Sequence, residues 1–286
     1  WTQPTPNLPA GLISITDEDI QGLMEVFHDL PSGPLDIVIH SPEGSAEATE
    51  AMVSYIRSRF TDVRVIIPHA AMSAATMLAC SANRLVMGKH SFLGPIDPQM
   101  ILNTELGIQA VPAQAIIDQF NMAKDQCRNL ELLAAWSPML PQYGPALLIQ
   151  CQETLELSRE LVTRWLTSYM FHGEKDAEQK AGIVAECLAD HKRFKTHLRH
   201  IGIDEARSYG LIIDDLGNDK ELNDLVLSVF YATSITFDNS PAVKIVESHL
   251  GRAYMRLLAT RRPPPQQAGR PAAAPAAPSP PPPPNT

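Results

Sequence analysis

The feature that most limits the possible folds of this chain is a predicted strand followed by a serine at the start of a helix of small residues. Residues 63–67 are rich in β-branched side chains, which predicts a buried strand. A turn over residues 68–72 separates this strand from a predicted helix at 74–82, and Ser73 stands where that helix begins. Free N–H groups and the helix dipole favour negative charge at such a corner, which suits an acyl-transfer nucleophile. The simpler interpretation of Ser73 is a helix N-cap.

Strand and helix patterns alternate through the chain, which predicts an α/β fold with a parallel sheet. Further strands are predicted at residues 12–15, 35–40, 84–87 and 211–213. Further helices are predicted at residues 18–28, 46–60, 112–136, 146–171, 175–190, 204–209 and 219–233. We expect the helices between residues 112 and 190 to pack on the sheet rather than to form an independent domain.

Two turns follow predicted strands at their carboxyl ends. The turn over residues 42–45 follows the strand at 35–40, and the turn that carries Ser73 follows the strand at 63–67. Ligands of parallel sheets bind at the carboxyl ends of strands, so we expect both turns to face one cleft. Asp97 lies between two prolines, whose fixed φ suits either a tight turn or an oriented carboxylate.

Composition argues against several classes of function. The 286-residue chain carries a net charge of −9, which disfavours nucleic-acid binding by the chain as a whole. No apolar run of roughly 18 residues predicts a transmembrane helix, and no glycine-rich phosphate loop is present. We therefore expect no membrane span, no cofactor and no metal. The chain begins at Trp1, and its sequence leaves open what precedes that residue.

The cysteines point to a reducing compartment. They form no Cys-x-x-Cys motif, which predicts reduced thiols in a cytoplasmic protein rather than disulfides or a zinc site. The four residues are Cys80, Cys127, Cys151 and Cys187.

The two ends of the chain differ in composition from the part between them. Residues 1–11 are predicted to form a loose N-terminal arm, residues 12–240 a single domain, and residues 241–262 a C-terminal helical extension. Residues 263–286 are rich in proline and alanine, which predicts a disordered tail of partly polyproline II character. Such a tail is either passive or recognised by a proline-binding partner.

Three motifs together resemble a known family. They are His-Ser-Pro-Glu-Gly-Ser at 40–45, Pro-His-Ala-Ala-Met-Ser-Ala-Ala-Thr at 68–76 and Leu-Gly-Pro-Ile-Asp-Pro-Gln at 93–99. They resemble the serine dehydrogenase proteinase family of the Clp/crotonase superfamily, which is related to signal peptide peptidase A and to the proteolytic subunit of Clp protease. The resemblance covers roughly residues 12–233. It implies a Clp/crotonase-type fold of repeated ββα units with additional C-terminal helices, and a serine peptidase activity.

The resemblance also implies a catalytic triad in the order Ser, Asp, His. By motif, Ser73 is the nucleophile, Asp97 is the orienting carboxylate and His197 is the base. This agrees with the chemistry, because a serine hydroxyl needs a neighbouring base and that base needs an orienting group. His200, in the same segment, is an alternative base. Lys124 is a second alternative, since related peptidases use lysine.

The oxyanion hole implied by the resemblance departs from the pattern of the relatives. It would use the backbone N–H of Ala74 and one from the turn at Glu43 and Gly44. Relatives usually read Pro-Gly-Gly where this chain has Pro-Glu43-Gly44, and they usually have glycine at the position of Ala75. If Glu43 needed a positive φ, its side chain would add a steric cost, and its carboxylate would oppose the oxyanion. The extra methyl group of Ala75 would narrow the acyl site.

Three functions stay open at this point. The first is a serine endopeptidase that acts on peptides or unfolded proteins and assembles as a homo-oligomer. The second is a catalytically weakened scaffold that uses the same fold for protein binding, and Glu43 and Ala75 favour it. The third is a crotonase-like acyl-thioester enzyme, whose chemistry has no role for a serine at the corner.

Other polar residues have structural interpretations. His40 and His69 follow predicted strands, and we expect their rings to bond to the backbone there. Asp214 and Asp215 form a paired carboxylate after the last predicted strand, and we expect them to lie in a solvated turn.

Overall fold

The computed structural model describes residues 1–2, 10–104 and 107–258 of the chain. The strands of this part are β1 (Leu35–Val38), β2 (Val63–Ile67), β3 (Ala70–Ala71), β4 (Arg84–Met87), β5 (Phe92–Leu93), β6 (Gln99–Thr104), β7 (Gly107–Pro112), β8 (Ile201–Gly202), β9 (Ile213–Asp215), β10 (Ala242–Glu247) and β11 (Ala253–Leu257).

The α-helices of the same part correspond to the predicted helical stretches, except the short helix at His191–Phe194, which was not predicted. They are α1 (Asp19–Phe27), α2 (Ala46–Arg59), α3 (Ala74–Cys80), α4 (Ala113–Gln126), α5 (Leu130–Trp136), α6 (Leu147–Trp165), α7 (Ala177–Ala189), α8 (His191–Phe194), α9 (Ile203–Ser208) and α10 (Lys220–Asn239). The stretch predicted over 112–136 is two helices, because Asn129 caps α5 by accepting a hydrogen bond from the Glu131 amide.

A four-stranded parallel sheet in the order β1-β2-β4-β9 lies at the centre, so the α/β prediction is confirmed. Its strand β2 is apolar on both faces because both faces are covered. On one face, Val65 and Ile67 belong to the main hydrophobic core. On the other face, Ile66 packs with Val86 of β4 and Val226 of α10.

A smaller sheet joins β3, β5 and β8, with β3 parallel and β8 antiparallel to β5. The chain passes from β2 to β3 and from β4 to β5 over only a few residues. Each of these two passages therefore begins in the central sheet and ends in the smaller one, beside the carboxyl ends of the central strands.

The helices that follow Asp97 pack on the domain, as expected. The carboxyl half of α6 contributes Leu161, Val162 and Trp165 to the main core. Its amino half packs instead with α4 in a separate cluster that contains Ile116 and Leu155. No helix in the described ranges combines the length and the apolarity that crossing a membrane requires.

The sequence patterns did not predict the short strands β3, β5 and β8 or the β6–β7 hairpin, and they misassigned one strand. Strands β6 and β7 form an antiparallel hairpin between the Asp97 loop and α4. The strand predicted at 12–15 is instead a 3₁₀ turn at Ala10–Leu12 followed by a single parallel bridge between Ile15 and Gly44. A segment of four residues with three apolar side chains does not distinguish these structures.

The predicted C-terminal helical extension at 241–262 is wrong over the residues described there. Strands β10 and β11 form an antiparallel hairpin, and α1 packs against it. Val243, Ile245 and Val246 are β-branched residues of the kind that favours strands. The tail predicted at 263–286 lies outside the described residues.

The N-terminal arm is also partly different from the prediction. Thr2 donates its amide to the His40 carbonyl at 3.0 Å, and Ile245 donates to the Trp1 carbonyl at 3.0 Å. Trp1 and Thr2 therefore lie between the end of β1 and β10 rather than in a loose arm. Residues 3–9 of the predicted arm lie outside the described residues.

A buried ion pair joins the hairpin to α1. The Lys244 ammonium lies 2.7 Å from both carboxylate oxygens of Asp19 and donates to the Ser14 carbonyl at 2.6 Å. Lys244 is 2% exposed and Asp19 is 3% exposed. Burial lowers the pKa of Lys244, and the hydrogen bonds with Asp19 act in the opposite direction.

We expect Lys244→Ala to lower the free energy of unfolding by about 3–5 kcal/mol, because it leaves the Asp19 carboxylate buried without its cation. Replacing both partners by apolar residues, as in Lys244→Met with Asp19→Leu, should cost much less. Urea unfolding of the two variants measures the difference, with Lys220→Ala as an exposed control. A single variant as stable as the control would contradict the expectation.

Candidate active site

Ser73 occupies a strained corner between β3 and α3. Its backbone has φ 53° and ψ −119°, a conformation that non-glycine residues rarely adopt. Within α3, all of whose residues are described, the Ser73 side chain accepts no capping hydrogen bond from a backbone amide. The N-cap interpretation therefore does not account for this serine. Strained backbone of this kind costs about 1–3 kcal/mol and concentrates at functional sites.

Buried hydrogen bonds hold the corner in place. The Thr76 hydroxyl donates to the Ala71 carbonyl at 2.7 Å and accepts from the Gly94 amide at 3.0 Å, so it ties the start of α3 to β3 and to the residue that follows β5. The Met72 amide donates to the Ser41 carbonyl at 3.0 Å. Ser73 thus lies between two residues whose positions are fixed.

The turn after β1 lies directly against the start of α3. A methyl group added at Gly44 would lie 3.0 Å from the Ala74 Cβ and 2.5 Å from the Ile15 Cβ. The turn and the serine corner are therefore neighbours, as predicted from their positions at strand ends. Only a residue without a side chain fits between Ile15 and Ala74, which explains why glycine occupies position 44.

Glu43 does not carry the steric cost that we expected. The described non-glycine residues with positive φ are Ser73, Ala146 and Lys195, so the Glu43 backbone lies in an ordinary region. Its carboxylate accepts a hydrogen bond from the Ser14 hydroxyl at 3.1 Å. The backbone conformation of Glu43 therefore does not argue against an oxyanion hole at this turn.

Asp97 is buried and binds two histidines. Its side chain is 2% exposed, and the His197 Nδ1 lies 2.7 Å from Oδ1 while the His191 Nδ1 lies 3.0 Å from Oδ2. The flanking loop is fixed by the Ile96 amide, which donates to the Leu188 carbonyl at 2.9 Å. The structure thus brings together two residues that lie a hundred positions apart in the sequence.

The short helix α8 explains how both histidines reach one carboxylate. Asp190 caps its amino end by accepting from the Arg193 amide at 3.1 Å. Lys195 ends the helix in the left-handed conformation, with φ 63°, and its amide donates to the His191 carbonyl at 2.7 Å. The chain therefore reverses direction immediately after α8 and returns His197 to the side of His191.

Sequence reasoning missed His191. The resemblance drew attention to residues 196–200, whereas His191 lies at the start of α8 in a segment without a recognised motif. The available signal was the cap residue Asp190 before a cluster of basic residues, and this predicts a helix start but not a partner for Asp97.

The two alternative bases make other contacts. The His200 ring stacks on Phe92 with the ring centroids 3.6 Å apart and the planes 12° from parallel. Lys124 is exposed near the end of α4, and α4 packs in the separate cluster with α6. In the described part of the chain, no group of three or more His, Cys, Asp or Glu side chains is arranged to hold a metal ion.

The remaining polar candidates have structural roles. Asp215 accepts a hydrogen bond from the Gly217 amide at 2.8 Å, and Asp214 lies 3.9 Å from Arg84 in an exposed ion pair. The His40 Nδ1 lies 3.1 Å from the Ala70 carbonyl, as expected for a strand-end histidine. The His69 ring instead packs among aromatic rings, 5.1 Å from Phe92 and 5.3 Å from His40 by centroid.

Comparison with known proteins agrees with the motifs. Residues 12–129 match the family model of the ClpP-like SDH-type serine proteinases, so the predicted family is confirmed for this part of the chain. This segment contains Ser73 and Asp97, whereas His191 and His197 lie beyond it. The match supports a peptidase at the level of the family.

Two archaeal proteins are similar in sequence. Uncharacterized protein MJ0137 of Methanocaldococcus jannaschii is 34% identical over 204 residues, which are 70% of this chain and 60% of the relative. Uncharacterized protein MJ1495 of the same organism is 33% identical over 107 residues, which are 37% of this chain and 34% of the relative. The aligned part of this chain thus spans less than two thirds of either relative.

We expect Gly44→Ala to destabilise the protein by about 1–3 kcal/mol, because the new methyl group would overlap Ile15 and press on the start of α3. Thermal or urea unfolding measures the loss. Gly182→Ala is the matched control, since it lies in α7 with nothing within 4 Å of the added methyl group. Equal stability of the two variants would contradict the close approach.

His40 should make the fold sensitive to acid. Burial, and next the neighbouring His69, lower the pKa of His40 from 6.5 to about 4. The unfolded chain therefore binds a proton below about pH 6.5 that the folded chain does not bind until about pH 4. The contribution of neutral His40 to the free energy of unfolding is fully present above the pKa of the unfolded chain. It falls by about 3 kcal/mol as the pH drops from that pKa to the pKa of the folded chain.

The measurement is the free energy of unfolding in urea between about pH 7.5 and pH 4. His40→Gln should lose less stability than the parent over this range, while the exposed His249→Gln should behave like the parent. The same loss in His40→Gln and the parent would show that His40 does not carry the effect.

Proposed function

We propose that this chain is a serine peptidase in which Ser73 is the nucleophile, His197 the general base and Asp97 the residue that orients the base. The observation that carries the proposal is the 2.7 Å contact between the His197 Nδ1 and the buried Asp97 carboxylate. When Nδ1 donates this hydrogen bond, the neutral ring keeps Nε2 as an acceptor for the serine proton. The family match over residues 12–129 supports the reaction class.

In the first half of the proposed reaction, the Ser73 Oγ attacks the carbonyl carbon of the scissile peptide bond as its proton passes to the His197 Nε2. The carbonyl π electrons move to oxygen, and the tetrahedral intermediate carries an oxyanion. Amide groups of Ala74 and of the turn at Glu43 and Gly44 would donate to this oxygen. The C–N bond then breaks, the amine leaves with the proton from His197, and an ester on Ser73 remains.

In the second half, water attacks the ester carbonyl while His197 accepts a proton from it. Collapse of the second tetrahedral intermediate releases the carboxylic acid product, and the proton returns to the Ser73 oxygen. The strained serine corner supports this role, because a serine on a sharp strand-to-helix turn exposes its hydroxyl beside helix N–H groups.

We further propose that the fold is the Clp/crotonase type. The passages β2-β3-α3 and β4-β5 support repeated ββα units, because the two strands of each passage lie in different sheets. The additional element after α10 is the β10–β11 hairpin rather than a helix.

We also propose a homo-oligomer that acts on peptides or unfolded proteins, as the resemblance implies. Ile101 and Ile108, on the β6–β7 hairpin, are 68% and 78% exposed, and such apolar surface suits an interface with another protein. A cytoplasmic location stays a prediction from the cysteines, all four of which are free thiols.

Labelling with a fluorophosphonate probe tests the proposed nucleophile. We expect the parent chain to be labelled, Ser73→Ala to lose labelling completely, and His197→Ala to react about 10²–10⁴-fold more slowly because the general base is gone. Ser58→Ala, which removes an exposed serine of α2, is the control.

The other outcomes separate the alternatives. Loss of labelling in His200→Ala or Lys124→Ala, but not in His197→Ala, would move the base to that residue. A folded parent chain that resists the probe would overturn the peptidase and favour the weakened scaffold. Binding of an acyl-thioester without labelling would favour the crotonase-like enzyme.

A further inference from the structure

The two oxygens of Asp97 face different histidines. Oδ1 lies 2.7 Å from the His197 Nδ1, and Oδ2 lies 3.0 Å from the His191 Nδ1. The Gln99 side chain is also near Oδ2, but its Nε2 lies 3.5 Å away, at the limit of a hydrogen bond. His191 is therefore the main side-chain donor to the second oxygen.

A buried carboxylate needs this second donor. Asp97 has a side-chain exposure of 2%, so water cannot compensate an oxygen left without a hydrogen bond. A carboxylate held at one oxygen only can rotate about its last side-chain bond, whereas one held at both oxygens keeps a fixed plane. The direction of the His197 ring depends on that plane, because a carboxylate accepts hydrogen bonds along defined directions.

His191 is held more rigidly than His197. It is the first residue of α8, where the Asp190 cap and the bond from the Lys195 amide fix the backbone on both sides. His197 lies after the helix, in a turn that the Arg199 amide closes by donating to the Thr196 carbonyl at 3.4 Å. Both rings have the same side-chain exposure, 15%. The two histidines therefore differ in the hydrogen bonds that hold their backbones and not in the exposure of their rings.

We propose that His191 is a positioning residue for the proposed reaction. It donates from Nδ1 to the Asp97 Oδ2, and this bond fixes the carboxylate plane so that Oδ1 holds the His197 ring toward Ser73. The proposal rests on the proposed function, because it assigns His197 as the base.

Three variants test the proposal by the rate of fluorophosphonate labelling. His191→Ala should label about 10–100-fold more slowly, by analogy with the loss seen when residues that orient metal ligands are removed. His191→Asn should recover most of the rate, because its amide nitrogen can donate to Oδ2 in place of Nδ1. His197→Ala gives the rate without the base, and the exposed His249→Ala is the control.

A second readout does not depend on labelling. The Nδ1–H groups of His197 and His191 both donate to a buried carboxylate and should give low-field proton resonances in NMR spectra of the parent chain. The resonance that disappears in His197→Ala is that of His197. This resonance should broaden or disappear in His191→Ala and return in His191→Asn. If the parent chain is not labelled at all, the proposed function fails, and the resonance alone still tests whether His191 orients His197.

Two results would overturn the proposal. The first is a His191→Ala variant that matches the parent in labelling rate and in the resonance. The second is a His191→Ala variant as slow as His197→Ala with no recovery in His191→Asn, which would make His191 the base itself. Circular dichroism checks that each variant is folded. If His191→Ala does not fold, His191→Asn decides: parent-like labelling and resonance support the proposal, and loss of both overturns it.

Discussion

The burial of the Asp97 carboxylate is the constraint on which the arrangement of the candidate site depends. A charged group removed from water is stable only where hydrogen-bond donors replace the water. The donors here are two histidines from the segment around α8, so that segment must fold back over the Asp97 loop. The same contact joins the helical half of the chain to the strands that carry Ser73. The need to replace water around this carboxylate thus holds two histidine rings against it.

The strained backbone of Ser73 is compatible with the fold because several hydrogen bonds hold the residues on either side of it. Thr76 is completely buried and bonds to β3 and to Gly94 just after β5, while Met72 bonds to Ser41 beyond the end of β1. Each net hydrogen bond contributes about 0.5–1.5 kcal/mol, so a few of them offset a strain of about 1–3 kcal/mol. A relaxed Ser73 backbone would break these hydrogen bonds together, so the serine stays in its unfavourable conformation. Its own hydroxyl makes no capping bond to the helix.

Sequence patterns predicted the parts of the fold that local chemistry determines. Strand β2 agrees with the β-branched run, and helix α2 agrees with the helix predicted at 46–60. The structure adds that Ser45 caps α2 by accepting from the Ala48 amide at 3.1 Å. The β10–β11 hairpin was not predicted, because α1 and Asp19, which hold it in the domain, are far from it in sequence. His191 was missed for the same reason, since its partner lies 94 residues away. The backbone cost expected at Glu43 was wrong because it assumed a positive φ that the turn does not have.

The nucleophile and the base of the proposed site rest on different kinds of observation. Ser73 and Asp97 lie within the 118 residues, 12 to 129, that match the serine proteinase family, so motif and geometry agree on them. His197 lies outside that segment, and its assignment rests on its contact with Asp97. Because that carboxylate is inside the matched segment and buried, it links the two parts physically: any ring that satisfies it is held beside the loop that the family motif defines. The geometry of one buried acid therefore supports the proposal of His197 as the base, although the family match does not reach this histidine.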